Sequence, residues 1–220
     1  MKKALCHLNL SFVAAALLSG MSFAAHAAEE GNWMVRVRAV QIKPANQSEI
    51  GSGAATGALP ADALQVSTEV VPELDVTYFF TKHIAAELLL GLPVKHDVTI
   101  AAGPFAGPIG SFKHLPPTLT LQYHFMPDAQ FRPYLGVGIN YTRVTSVGLT
   151  IPPGPLDLER SSVGAALQAG FDVKVAPQMF FNVDIKKLYI DADVKFAGAK
   201  ISNAKLDPIV FGVGLGWRFN

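Results

Sequence analysis

The groups able to do chemistry in this chain are a few charged pairs and a few histidines, and their spacing limits what that chemistry is. Arg36 and Arg38 stand two apart, as do Glu73 and Asp75, and Glu87 sits alone in an apolar stretch. Residues two apart share a face of a strand, so two such strands side by side bring opposite charges together. With Trp33 and Phe80 at one rim, antiparallel pairing sets Arg38 near Asp75 and Arg36 near Thr77. Glu87 on the following strand then faces Thr77 within reach of Arg36. The expectation is an interior network of Arg36, Arg38, Glu73, Asp75 and Glu87 that fills a narrow space and blocks continuous water rather than selecting ions.

The histidines offer less. His96 and His114 can approach each other within one connection, but two imidazoles without a carboxylate at ligand spacing fall short of a metal centre. Solvated loop histidines are expected, with His83 and His124 elsewhere. Ser161 and Ser162 have no histidine in register, and His124 lies by a different turn, so acyl chemistry lacks a base and an orienting acid. No enzyme, metal or cofactor is expected.

The elements that must position these residues are strands. From Ile209 to Phe219 every odd position is large and apolar, while the even ones are mostly glycine, with Arg218 near the end. One face is a continuous apolar stripe and the other nearly bare backbone. A lipid-facing strand with a narrow lumen behind it has this inventory. It cannot stand alone, because unpaired backbone groups would meet hydrocarbon. Seven further alternating segments are read at 33–43, 68–80, 84–92, 115–125, 131–142, 162–174 and 179–194. Segment 84–92 also has helical composition, but its length and the short turn before it favour a strand. Beyond Lys187 the alternation loses phase, which suggests a bulge or a strand rising above the membrane.

Short turns (81–83, 126–130, 176–178) alternate with long connections (44–67, 95–113, 144–161, 196–205) that read as loops. That alternation is the signature of an eight-stranded antiparallel transmembrane β-barrel with short periplasmic turns and long extracellular loops. The face without charges is the apolar one on nearly every strand, which excludes a soluble barrel of inverted pattern. Candidate lumen-facing residues are Met34, Arg36, Arg38, Glu73, Asp75, Glu87, Leu89, Gln122, Gln168 and Asp172. Trp33, Phe80, Phe125, Phe131, Trp217 and Phe219 form the expected periplasmic aromatic girdle, with Phe180 and Phe181 also beside a turn.

Composition agrees: half the residues are hydrophobic, 16% are charged, and there are 19 glycines and 15 prolines. Residues 1–27 read as a cleaved signal peptide, with Lys2 and Lys3, an apolar run from Leu8 to Leu18, and Ala25-His26-Ala27 before the cut. Its removal leaves 16 Lys+Arg against 17 Asp+Glu and takes away the single cysteine, Cys6. Residues 28–220 are then one barrel domain without thiol chemistry and without a basic patch for nucleic acid.

Several stretches resemble the OmpW family of small outer-membrane barrels, which includes the AlkL alkane-uptake proteins. They are the hairpin from Pro72 to Phe80 with Ile84-Ala85-Ala86-Glu87, Lys95-His96-Asp97, and Leu115-Pro116-Pro117 through Phe125. Phe131-Arg132-Pro133-Tyr134 through Thr142, Gln168-Ala169-Gly170, and Asp207-Pro208 through Trp217-Arg218-Phe219 complete it. The resemblance implies a barrel of the Gram-negative outer membrane whose narrow, partly hydrophobic lumen passes small apolar compounds inward. Partners would be outer-membrane lipids, hydrophobic solutes and the insertion machinery that reads the last strand. The alternative is a structural or surface-interaction barrel whose contacts map to 44–67 and 144–161. Two departures stand out: Asn220 follows the terminal aromatic, and Val163 occupies a place, before Gly164, where a bulky aromatic is expected.

Overall fold

The computed structural model describes residues 31–50, 60–152 and 154–220; the signal-peptide reading of 1–27 lies outside them, as does part of 44–67. Strands in chain order are β1 (Trp33–Lys43), β2 (Gln47–Ser48), β3 (Leu64–Val66), β4 (Glu69–Phe79), β5 (Ile84–Gly91), β6 (Val94–Ile100), β7 (Gly107–Leu115) and β8 (Thr118–His124). There follow β9 (Phe131–Ile151), β10 (Gly154–Leu158), β11 (Ser161–Ala176), β12 (Met179–Leu188), β13 (Asp191–Phe196), β14 (Ala199–Lys205) and β15 (Ile209–Phe219).

Eight of these close a ring in the order β1, β4, β5, β8, β9, β11, β12, β15 and back to β1, every pair antiparallel. The closing pair runs from Trp33↔Phe219 to Lys43↔Ile209 without a break. Val37, Leu88, Leu121, Ile139, Leu167 and Phe211 exemplify an exposed apolar outer face on these strands, as lipid contact requires. Segment 84–92 is a strand, as its flanking turns suggest.

The four long connections are not loops among the described residues. β6 and β7 form a hairpin above β5 and β8, with β3 on the outer edge of β6. β7 also pairs with the upper half of β9. β10 folds back on β9 and pairs with β13, which carries β14 and β2. The barrel wall therefore continues beyond the membrane. The lost phase past Lys187 corresponds to the end of β12 and the start of a separate β13.

Between the barrel and this extension one ladder is interrupted. Pairing of β4 with β5 stops at Glu73↔Gly91, and pairing resumes in the same register at Val66↔Val98. The intervening stretch contains Pro72 and Pro93. Proline has no N–H to donate to a ladder, so this seam in the wall is held by side chains and by a single described backbone bond, Ser67 N–H to the Asp97 carbonyl at 2.9 Å.

The interior is layered. At the periplasmic end Met34, Phe79, Ala85 and Phe180 form a small apolar cluster. Charged and amide side chains fill the middle. Above them a second apolar cluster runs from Val40, Ile42, Ala166 and Leu188 into the extension.

Candidate functional site

The middle layer is built outward from β1. Its alternation turns Arg36 and Arg38 into the lumen, and glycines on β15 make room for them. A Cβ at Gly216 would stand 3.1 Å from Arg36 Cγ, and one at Gly212 3.2 Å from Arg38 Cδ. Arg36 donates to Glu87 (2.8 Å), to Thr77 (2.6 Å) and, through Nη2, to Asp172 (2.7 Å). Arg38 reaches Asp75 (2.8 Å), Glu73 (3.1 Å), Glu87 (3.2 Å) and the Asn182 side-chain Oδ1 (2.7 Å).

The five residues expected to form the network do meet, although one premise of the pairing was off by two residues. Trp33 is level with Tyr78, not Phe80, so the backbone partners are Arg38↔Glu73 and Arg36↔Asp75. The expected side-chain contacts survive because a long arginine reaches diagonally to the next inward residue of the neighbouring strand.

The network is also wider than the reading from adjacent strands. Lys186 on β12 bridges Glu73 (2.9 Å) and Asp184 (2.8 Å). Gln168 donates to both Glu87 and Asp184 at 2.8 Å, and Tyr134 donates to Asp184 at 2.7 Å. Asn182, Asp184 and Lys186 alternate on one face of β12, a visible signal, but nothing local says which residues lie across the barrel diameter. Three cations here meet five carboxylates, all buried. Removing charges from water is repaid only with good geometry and further hydrogen bonds, and here the amide and hydroxyl groups supply those bonds. Asp75 Oδ1 is the one carboxylate oxygen of the layer buried without a partner among the described residues.

All ten candidate lumen residues lie buried inside the wall: Met34 in the periplasmic cluster, Leu89 level with Asp75, and Gln122, Gln168 and Asp172 within the polar layer. Gln122 and Thr120 both donate to the Gln168 side-chain Oε1, at 3.0 and 2.9 Å. The girdle residues Trp33, Phe80, Phe125, Phe131 and Trp217 are exposed on the outer face and Phe219 is half-buried. Trp33 packs on Tyr78 (4.8 Å between centroids) and Tyr78 on Phe80 (5.2 Å). Phe181 is also outside, whereas Phe180 points inward under the Arg132 guanidinium, 4.9 Å away. Val163 faces outward at 72% exposure, so its side chain closes nothing in the lumen.

Above the charges the lining changes character. Leu64, Val66, Val98, Phe112, Leu149 and Leu158 are among the residues around a cavity of about 30 Å³. His96 and His114 face into this interior rather than solvent, which corrects the expectation of solvated loop histidines. Their rings stack at 5.0 Å and 15°, so the nitrogens lie in parallel planes instead of converging on an ion. His96 Nδ1 lies 2.7 Å from the Ser67 carbonyl oxygen, while His114 Nδ1 is buried without a partner. Burial, then the neighbouring His96, pushes the His114 imidazole down to about 3, and burial lowers His96 too. Among the described residues no three His, Cys, Asp or Glu are arranged for a metal. Ser162 Oγ bonds Asp191 at 3.3 Å. His124 lies at the other end, its Nε2 3.2 Å from the Gln122 carbonyl oxygen.

A closed eight-stranded wall, a charged middle and an apolar upper interior narrow the comparison to small outer-membrane barrels. The sequence model of the OmpW family matches residues 29–219. The chain belongs to the OmpW family. It is therefore a β-barrel of the Gram-negative outer membrane. An uncharacterized outer-membrane protein of Sinorhizobium fredii, y4mB, is 39% identical over 191 residues, covering 85% of this chain and 80% of that one. Outer membrane protein W of Escherichia coli is 33% identical over 219 residues, 96% of this chain and 99% of its own. The dibenzothiophene metabolism operon protein PahQ of Pseudomonas aeruginosa is 26% identical over 197 residues, 87% of this chain and 90% of its own. The crystal structure of OprG from Pseudomonas aeruginosa superposes with a TM-score of 0.72 at 24% identity, covering 88% of this chain and 98% of that one, a likeness of fold.

Proposed function

We propose that this barrel gives small hydrophobic molecules a passive way through the polar surface of the outer membrane. The observation that carries the reading is the apolar interior of the extracellular extension, roofing a barrel whose centre is charged. An apolar solute partitions favourably into such an interior, about 25 cal/mol for each Å² removed from water. The ion-pair layer below offers it no favourable path onward, since entering would break buried charge pairs.

The exit this geometry supports is sideways, at the seam between Glu73↔Gly91 and Val66↔Val98. There the described backbone bonds across the wall come down to one, from the Ser67 N–H to the Asp97 carbonyl at 2.9 Å. Leu92 on its outer side is 62% exposed and Val70 67%, both toward lipid, and Val94 on the inner side belongs to the upper apolar cluster. Between that bond and the Glu73↔Gly91 rung only side chains have to part. The name of PahQ, which ties that relative to an operon for metabolism of dibenzothiophene, an apolar aromatic sulfur heterocycle, agrees with an apolar cargo, and the reading needs no catalytic residue.

The test compares uptake of dibenzothiophene and of an n-alkane by a deletion strain, a complemented strain and a strain carrying Pro93→Val. Complementation should speed uptake, and restoring an N–H at residue 93 should slow it again. Equal rates with and without the protein would overturn the transport reading and favour a surface-contact barrel.

A further inference from the structure

The outer wall carries a cluster of positive charge that the interior does not explain. Lys95 on β6 and Lys113 on β7 are direct cross-strand partners. Each is exposed between two buried neighbours, Val94 and His96 for the first, Phe112 and His114 for the second, so both side chains leave the wall outward. Arg143 on β9 pairs with Leu115, two residues from Lys113, and is likewise exposed between buried Thr142 and Val144. Like charges directly opposed on one face destabilise a strand pair, and a diagonal neighbour at roughly 7–8 Å adds to the repulsion.

One carboxylate offsets them, Asp97 Oδ1, 3.0 Å from Lys95 Nζ. Among the described residues Lys113 and Arg143 have no carboxylate at ion-pair distance. A basic residue elsewhere on the same rim is already engaged: Lys187 donates to the Asp207 carbonyl and lies 5.9 Å over the Tyr189 ring.

The depth of the cluster identifies what meets it. Tyr141, two residues below Arg143 on the same outward face, and Leu92, three before Lys95, are both exposed to lipid. The three cations therefore begin where the hydrocarbon band ends, at the level of the outer-leaflet head groups. We propose that Lys95, Lys113 and Arg143 form a binding site for the phosphate groups of the phosphorylated glycolipid of that leaflet. The guanidinium gives a planar, bidentate contact and the two ammonium groups act as point charges. A bound phosphate removes the repulsion that the bare strands carry.

The test titrates the purified full-length protein in detergent with bisphosphorylated lipid A, with lipid A stripped of phosphate, and with inorganic phosphate as competitor, reading adducts by native mass spectrometry. The triple variant Lys95→Gln, Lys113→Gln, Arg143→Gln should bind bisphosphorylated lipid A roughly tenfold more weakly or worse, because charge-assisted contacts carry the site. Lys43→Gln, on another stave, should bind as wild type. Wild-type binding should weaken as salt is raised, and competition by inorganic phosphate would support phosphate as the recognised group. Unchanged binding by a triple variant whose electrophoretic mobility shows a folded barrel would overturn the proposal. Equal binding of phosphate-free lipid A by the wild type would do so as well.

Discussion

Arg38 holds the middle of the barrel through Asp75, Glu73, Glu87 and Asn182. Truncation to alanine leaves Asp75 buried without its cation and takes one partner each from Glu73 and Glu87, a loss on the order of 3–5 kcal/mol when one partner of a buried pair is removed. Arg38→Ala should therefore lower the urea midpoint in detergent clearly, and an unchanged midpoint would remove the network as a stabilising feature. His114 makes a different prediction. Its proton is lost far below the ordinary 6.5 because the ring is buried beside His96. Above 6.5 neither folded nor unfolded chain binds that proton, so pH has no effect. As pH falls from 6.5 toward about 3 the unfolded form takes up a proton that the folded form refuses, and stability is lost. Amide exchange in β6 and β7 should accelerate through that window, and less so in His114→Phe. The inward direction of His96 was readable, since Val94, His96, Val98 and Ile100 alternate with Lys95, Asp97 and Thr99.

At the scale of elements, β15 and the extensions show what pattern reading can and cannot reach. The apolar stripe and glycine back of β15 specify a closing strand, and close approach explains one glycine firmly. A Cβ at Gly214 would stand 2.0 Å from the Val37 carbonyl oxygen, so β15 and β1 pair there only if residue 214 has none. Phe219 faces Trp33 across the last rung. Phe219→Ala should reduce the yield of protein assembled in the outer membrane, while deletion of Asn220 should leave it intact. Equal yields for Phe219→Ala would argue against a role in insertion. The strands β6, β7, β10 and β14 escaped as loops for a physical reason, while β13 reads as the end of the preceding strand. They are short, and glycine and proline at 103–110 and 152–155 read as turn chemistry. Their stability comes from pairing with distant strands, such as β10 with β13, which no local window contains.

For the whole molecule the arrangement of layers governs passage. A lumen crossed by buried ion pairs offers no continuous water, so the purified protein in a planar bilayer should show no steady ion conductance. A stable open current in symmetric salt would contradict the filled lumen. The amino-acid order alone determined the number of membrane strands and, along each of them, which face is apolar and which carries the charges. These follow from a period of two, from lipid as the outer solvent, and from turns short enough to read. The three-dimensional structure decided which inward charges meet across the diameter, as Lys186 meets Glu73 at 2.9 Å. It also set the two-residue offset of β1 against β4, and it turned the long connections into a second, extracellular wall with its own apolar interior. Those features depend on closure of the ring, which fixes strand stagger and cross-barrel distance together and which no single segment of the chain encodes.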